Sequence, residues 1–530
     1  MSTPAIMVLG TASHVGKSLM TTALCRIFAR QGVRVAPFKS QNMSLNSAAT
    51  PEGCEIGRAQ ALQAEAAGIP PTVHMNPILI KPSGDSTAQV VVRGSIWNQV
   101  SAKDYHQRRV IELLPLVLES YQILAAEHDL ILLEGAGSPA EINLKQNDIV
   151  NMRMAEMANA RCILVGDIDR GGVFASLLGT LDLLDPEERG RIGGFVINKF
   201  RGDQQLLAPG VEAIERRVGK PCLGVVPHLP SLNLDEEDSL GLPPMAVADP
   251  WAWNGPQDST PDRPLRIAVL GLPSFSNFTD FDSLRSEPSV DLRLCRTSAS
   301  LANADVLVLP GSKQTVDDLL WVRGQGIDAA IAAHAAHSLV VGICGGMQML
   351  GETIADPLGL EHRGTTTGLG LLPICTSMQP QKTTLLASGT LCPSSLFGQP
   401  VPPTKIVGYE IHLGETTYLV GANPLAYLAS GREDGCIDAS SRILGTYVHG
   451  IFDEDSFRHT FLRAARAFRH LAPPSQVTNW KQLREASLDR LATVVEHSLD
   501  MEEIFSWAGL KYLQSTPEAL PIGDSERKPE

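Results

Sequence analysis

The sequence predicts an α/β protein of two successive domains, each built on a parallel sheet covered by helices. Three observations predict it. The chain has 530 residues, more than a single hydrophobic core accommodates. Short β-branched runs alternate with longer helical patterns in two separate series, the pattern of strands joined by crossover helices. Between the series lies DEEDSLGLPPMAVADPWAWNGPQDSTPDRP, dense in Pro, Asp and Gly and without periodicity, which marks a linker. Domains are therefore expected over 1–234 and 265–512, with a linker over 235–264 and a polar tail over 513–530.

Composition narrows the partners. An apolar fraction of 43% with 19% charged residues fits a folded globular chain and excludes a disordered or collagenous one. The 44 basic and 58 acidic residues give a net charge of −14, which repels phosphate backbones and anionic headgroups, so neither nucleic acid nor membrane is expected as a partner. Nine cysteines without a C-x-x-C pair fit neither a disulfide framework nor a zinc module and point to a reducing cytoplasm. The N-terminus, MSTPAIMVLG, has no basic region before its short apolar run, and no apolar stretch is long enough to span a bilayer. A cytoplasmic location is expected.

The first series reads AIMVLG, VRVAPF, LILLEG, CILVGD, GGFVINKF and CLGVVP. Directly after its first strand come Gly10, Thr11 and, with five residues rather than the usual four between the glycines, Gly16-Lys17-Ser18, opening the helical run SLMTTALCRIFARQG. Backbone N–H groups of such a loop cradle phosphates, Lys17 reaches the β/γ-phosphates, and the Ser18 hydroxyl is placed to ligate Mg²⁺. ATP and Mg²⁺ are the cofactors expected, on a P-loop NTPase-type sheet. Lys39 ends the second strand, where it either neutralises a transferring phosphoryl group or is a solvated surface lysine. Glu134 ends LILLE and either holds Mg²⁺, directly or through water, or serves as a turn or capping acid. Asp167 and Asp169 end a further strand, equally placed for metal or substrate. Asn198, beside Lys199, lies where a nucleotide base is often recognised.

The second series reads LRIAVLGL, ADVLVLPG, LVVGICGG and ILGTYVHG. Gly342-x-Cys344-x-Gly346 matches the nucleophile elbow with cysteine in place of serine: the turn lifts the thiol clear of the sheet, and the next helix N-terminus favours thiolate. His449, after the last of these strands, is the candidate base and acid. Gly311 in the loop Pro310-Gly311-Ser312 and Gly345 after the cysteine supply backbone N–H groups for an oxyanion hole.

These residues resemble class I glutamine amidotransferase domains, which release ammonia from glutamine through a γ-glutamyl thioester. The N-terminal half resembles dethiobiotin synthetase, with the same lengthened loop and ATP-driven carboxylate activation. Joined in this order, they resemble the cobyrinic acid amidases of cobalamin biosynthesis. Within that group FKSQNMSLNS, GRAQALQA, MNPILIKP, EGAGSPAEINL, DIVNMRMAE, VGDIDRGGVFA, NKFRGD and GYEIHLG are similar to the branch whose product is adenosylcobyric acid. A sister a,c-diamide synthase would carry an acidic segment where Gln41-Asn42-Met43-Ser44 stands. The resemblance implies that glutamine and a corrinoid are the substrates, with amidation of adenosylcobyrinic acid a,c-diamide at its b, d, e and g carboxylates. Gln41, Asn42, Arg58 and Lys81 are the candidates for holding the corrinoid. It also implies a Cys344–His449 dyad, because Ile451 occupies the place of the glutamate in the usual His-x-Glu. Asp453 or Glu454 remains open as a group that orients the imidazole.

Overall fold

The computed structural model describes residues 3–83, 87–101, 110–230, 232–235, 253 and 260–513. Six parallel strands make the first sheet: β1 (Ala5–Gly10), β2 (Val35–Phe38), β3 (Leu130–Glu134), β4 (Arg161–Asp167), β5 (Ile192–Phe200) and β6 (Cys222–Pro227), in the order β6-β5-β4-β1-β3-β2. Their apolar residues are buried on both faces, as expected for a sheet covered on both sides. The strand order turns at β1, between β3 and β4, and the carboxyl edge at such a turning point is where ligands bind in open α/β sheets. Helix α1 (Lys17–Arg30) starts there, and α2 (Arg58–Ala67) lies against it.

The second sheet contains β7 (Leu265–Leu270), β8 (Val290–Cys295), β9 (Val306–Leu309), β10 (Leu339–Ile343), β11 (Cys436–Ile437) and β12 (Ile443–Thr446), ordered β8-β7-β9-β10-β12-β11 with only β11 antiparallel. Each of the four apolar runs singled out in the second series contributes a strand. A further sheet is dominated by the long antiparallel pair Ile374–Leu391 and Lys405–Tyr418. Most of the predicted linker lies outside the described residues. Of the part that is described, Asp235 pairs with Arg484 at 2.8 Å, whereas Trp253, buried with its Nε1 donating to Asp291 Oδ2 at 2.7 Å, and Arg263, paired with Asp305, pack on the second domain.

The expected extent of the second domain needs correction at its C-terminal end. Helices α5 (Trp480–Ser498) and α6 (Met501–Trp507), which follow α4 (Asp455–Phe468), return to the first domain. Leu488, Leu491 and Val495 share a core cluster with Ile6, Val8 and Leu24. The Phe505 ring stacks on Phe28 with centroids 4.2 Å apart. Arg26 pairs with Glu485 and Asp489 at 2.7 Å each, and Asp500 N donates to Leu223 O on β6 at 2.7 Å. An amphipathic helix shows which of its faces is buried but not which domain buries it. The first domain is thus discontinuous, and of the predicted tail only Leu513 is among the described residues.

Removing a fully buried phenylalanine costs about 3–5 kcal/mol. Phe505→Ala is therefore expected to destabilise the first domain by that order, read by hydrogen exchange as lost protection in β1 and α1 with the second sheet unchanged. Loss confined to the second sheet would contradict the placement of α6.

Candidate active sites

Glu134, at the end of β3 and 1% exposed, organises the first site. Ser18 Oγ and Lys39 Nζ each donate to its Oε1 at 2.9 Å, and Gln63 Nε2 of α2 donates to its Oε2 at 2.5 Å. Lys39 is therefore buried against a carboxylate rather than solvated. Lys17 Nζ donates to the carbonyls of Ala12 (2.9 Å) and Gly137 (3.1 Å), folding back over the loop that starts at Gly10 and Thr11. Asn198 Nδ2 donates to Val15 O at 2.9 Å, which ties β5 to the loop just before Gly16. Asp167, opposite Asn198 across β4 and β5, pairs with Lys199 at 2.8 Å and accepts from Asp169 N. The structure thus brings Ser18 and Glu134 together and engages Asp167 with the lysine beside Asn198 instead.

Two cavities meet at this edge. One of about 610 Å³ is lined by Gly16, Ser18, Asn198 and Lys199, and one of about 640 Å³ by Lys39, Gln41, Asn42 and Asn151; His14 and Lys17 line both. The loop lysine therefore stands where a nucleotide in the first cavity and an acceptor in the second would meet. Gln41 and Asn42 line the second of these cavities. Arg58 and Lys81 do not. Arg58, half-buried, donates to Tyr409 of the second domain, and Lys81 pairs with Glu55, which also binds Lys382 of the second domain at 2.5 Å. Burial lowers the Lys81 ammonium, partly offset by Glu55, to about 8. Both residues lie in the domain interface because α2 and the strand carrying Lys81 face the second domain, a placement no local pattern reveals.

The second site is built on the turn between β10 and α3 (Gly345–Leu350). Cys344 adopts φ 51° and ψ −109°, a conformation costly for a residue with a side chain, and Cys344 N donates to Thr446 O at 2.8 Å. The turn is crowded: a Cβ on Gly346 would lie 2.0 Å from Leu309 O, so only glycine fits. Gly311 stands beside the His449 ring and Gly345 against the Ser312 loop. A Cβ on Gly311 would meet His449 Cε1 at 3.0 Å, and one on Gly345 would meet Ser312 N at 3.0 Å.

His449 is buried, and its partner is Asp280, whose Oδ2 lies 2.7 Å from Nδ1 while Oδ1 accepts from Gly450 N at 2.9 Å. The expected dyad is completed by this carboxylate. Neither residue left open fills the role: Glu454 pairs with Lys405, and burial raises the Asp453 carboxyl to about 7. Burial opposes the His449 imidazolium, but Asp280 and Cys344 outweigh it and raise it to about 10. Asp280 sits in SFSNFTDFD, 169 residues before His449, and no motif spacing links the two.

Because Asp280 favours the imidazolium and fixes the ring, Asp280→Asn is expected to lower the turnover of glutamine on the order of 10²–10⁴-fold. Its loss lowers the imidazolium's proton affinity, so the alkaline limb of the pH–rate profile should move to lower pH. An unchanged profile would show that Asp280 only packs.

A thiol presented on a strained turn beside a histidine–aspartate pair, with a phosphate-binding loop in the same chain, defines a glutamine-hydrolysing ligase. Residues 6–241 match the family model described as a CobQ/CobB/MinD/ParA nucleotide binding domain, and residues 266–457 match the CobB/CobQ-like glutamine amidotransferase domain. The chain is 46% identical to the cobyric acid synthase of Moorella thermoacetica, over 96% of this chain and 98% of that one. It is 46% identical to that of Klebsiella pneumoniae (95% and 98% covered) and 47% identical to that of Geobacillus sp. (94% and 96%). It belongs to the cobyric acid synthase family. Among the described residues no helix is long and apolar enough to cross a membrane.

Proposed function

We infer that the protein uses ATP and glutamine to amidate the b, d, e and g side-chain carboxylates of adenosylcobyrinic acid a,c-diamide, giving adenosylcobyric acid in cobalamin biosynthesis. The observation that carries this reading is the pair of cavities meeting at Lys17, one beside the phosphate loop and one open to an acceptor, in a chain that also holds a glutaminase centre.

In the glutaminase, the Cys344 sulfur attacks the glutamine carboxamide carbon while N–H groups of the Gly311 and Gly345 loops receive the developing oxyanion. His449 gives its proton to the departing nitrogen, and ammonia leaves. It then takes a proton from water as that water attacks the thioester, so glutamate departs and the thiol is restored. Asp280 holds Nδ1 throughout, keeping Nε2 directed at the reacting atoms.

In the ligase, a corrinoid carboxylate oxygen attacks the γ-phosphorus of ATP and ADP leaves, producing an acyl phosphate. Ammonia attacks its carbonyl carbon, phosphate departs, and the amide remains. Lys17 and Lys39 stand where charge on the γ-phosphate is balanced. The Ser18 hydroxyl and the Glu134 carboxylate are hard oxygen donors 2.9 Å apart, a set that suits Mg²⁺, which would supply charge neutralisation on the phosphates. On this reading Asn198, which lines the cavity beside the phosphate loop, recognises the base, and Gln41 and Asn42, which line the other, hold the corrinoid.

Mass spectrometry of the corrinoid after incubation with adenosylcobyrinic acid a,c-diamide, MgATP and glutamine tests the reading by counting amides gained. Four gains are expected. No gain, with glutamate still released, would leave the two-centre chemistry and overturn the acceptor.

A further inference from the structure

The glutaminase cleft holds two charged side chains that the hydrolysis of the amide does not use. Lys81, Lys313 and Lys382 line it beside Cys344. Lys81 and Lys382 are both committed to Glu55. Lys313 is not. It is 8% exposed, it follows Ser312 in the loop that places Gly311 against His449, and among the described residues its Nζ has no hydrogen-bond or ion-pair partner. Among the residues lining the cleft the only carboxylate is Glu361, which is half-buried. Its Oε2 accepts from Thr315 N at 2.9 Å, at the start of the helix Thr315–Gly324, and its Oε1 has no hydrogen-bond partner among the described residues. Because Thr315 stands two residues after Lys313, the loop that carries the ammonium also anchors the carboxylate. The two are near enough for each to bear on the other's ionisation, yet they form no ion pair. A gap separates them.

Packing does not account for Lys313. Burial lowers its ammonium, a shift that Glu361 offsets in part and Lys382 reinforces. Burial likewise raises the Glu361 carboxyl to about 6, against the opposing pull of Lys313. A buried ammonium without a partner costs stability that a methionine of similar length would spare. Each group therefore lacks an opposite charge. Glutamine carries both, since its α-carbon bears a carboxylate and an ammonium and stands only two methylenes from the carboxamide. A glutamine whose carboxamide meets Cys344 thus brings its zwitterionic end to the walls of the same cleft.

We propose that Lys313 and Glu361 form the subsite for the amino-acid end of glutamine, with Lys313 Nζ donating to the α-carboxylate and the Glu361 carboxylate accepting from the α-ammonium. The subsite selects a free α-amino acid and rejects a primary amide that lacks either charge. The proposal rests on the glutaminase reading given above and adds how its substrate is recognised.

The test compares three amides with the full-length protein in the presence of MgATP and adenosylcobyrinic acid a,c-diamide: glutamine, glutaramate, which lacks the α-ammonium, and 4-aminobutanamide, which lacks the α-carboxylate. The acid released from each is measured for the wild type, Lys313→Met and Glu361→Gln, with the thermal unfolding midpoint as the control for folding. The wild type should prefer glutamine to either analogue by about 30–1,000-fold in kcat/KM, the usual effect of removing one partner of a desolvated charge pair. Lys313→Met should cut the preference over 4-aminobutanamide by about tenfold or more while keeping that over glutaramate, and Glu361→Gln should do the reverse. Both losses should appear in KM, because the contacts are the same in the ground and transition states. A purely structural role would lower the three amides by one common factor in either variant and would overturn the assignment. So would a wild type that hydrolyses all three alike. Release of no acid from any amide would instead overturn the glutaminase reading itself.

Discussion

Cys344→Ala is expected to abolish glutamine-driven amidation, by on the order of 10⁴-fold or more, because removing the nucleophile eliminates the covalent route. Amidation driven by added ammonia should continue near the wild-type rate. The two outcomes separate because Cys344 touches only the glutaminase cleft, among residues such as Asn277, Gln348 and Ile411, whereas the ligase residues line cavities in the first domain. Alanine also relieves little strain, since φ 51° is as unfavourable for it as for cysteine, so the turn between β10 and α3 should keep its shape. Rates measured with glutamine and with ammonium salt at alkaline pH decide the matter. Loss of both activities would mean that the two centres are not separable.

Lys17→Ala should give the opposite pattern. Amidation is expected to fall about 10²–10³-fold with either nitrogen source, the usual effect of removing one preorganised electrostatic contact from a transition state, while glutamate release persists. The lysine reaches carbonyls on both sides of the loop, at Ala12 and Gly137, so alanine removes the charge that bridges them. Lys39→Met would confuse the measurement. It would leave Glu134, 1% exposed, short of one cationic partner, and breaking a buried pair costs about 3–5 kcal/mol in stability. ATP-dependent amide formation from ammonia by Lys17→Ala at the wild-type rate would remove this residue from the ligase.

What was legible in the sequence was what is local along the chain. The phosphate loop and the cysteine elbow each occupy one short segment between a strand and a helix, so the residues that act together also stand together. The same holds for Ser18 with Lys17 and for Gly345 with Cys344. Glu134 and Lys39 were placed correctly at strand ends, because every parallel strand delivers its last residue to the same edge. The failures are those of tertiary contact. Asp280 reaches His449 across 169 residues, and its own segment, FTDFD, reads as an ordinary polar turn. Arg58 and Lys81 read as corrinoid-holding cations because they stand in polar runs, yet Arg58 donates to Tyr409 and Lys81 shares Glu55 with Lys382, both partners belonging to the second domain. Nothing in their neighbours' identities distinguishes a ligand-facing cation from one that closes an interface.

The return of α5 and α6 to the first sheet also sets the order in which the newly made protein can mature. Strand β6 ends at Pro227 and α5 begins at Trp480, so the ribosome must add about 250 residues between them, on the order of 10–50 s of synthesis at 5–20 residues per second. Throughout that interval the face of α1 that carries Phe28 lacks its cover, although all six strands of the sheet have been made. The second domain emerges complete inside this window and can fold on its own schedule. The nascent first domain is thus the last part of the molecule to finish, and a message truncated before Trp480 would release a chain with a lasting apolar face, a substrate for chaperones or proteases rather than a working ligase.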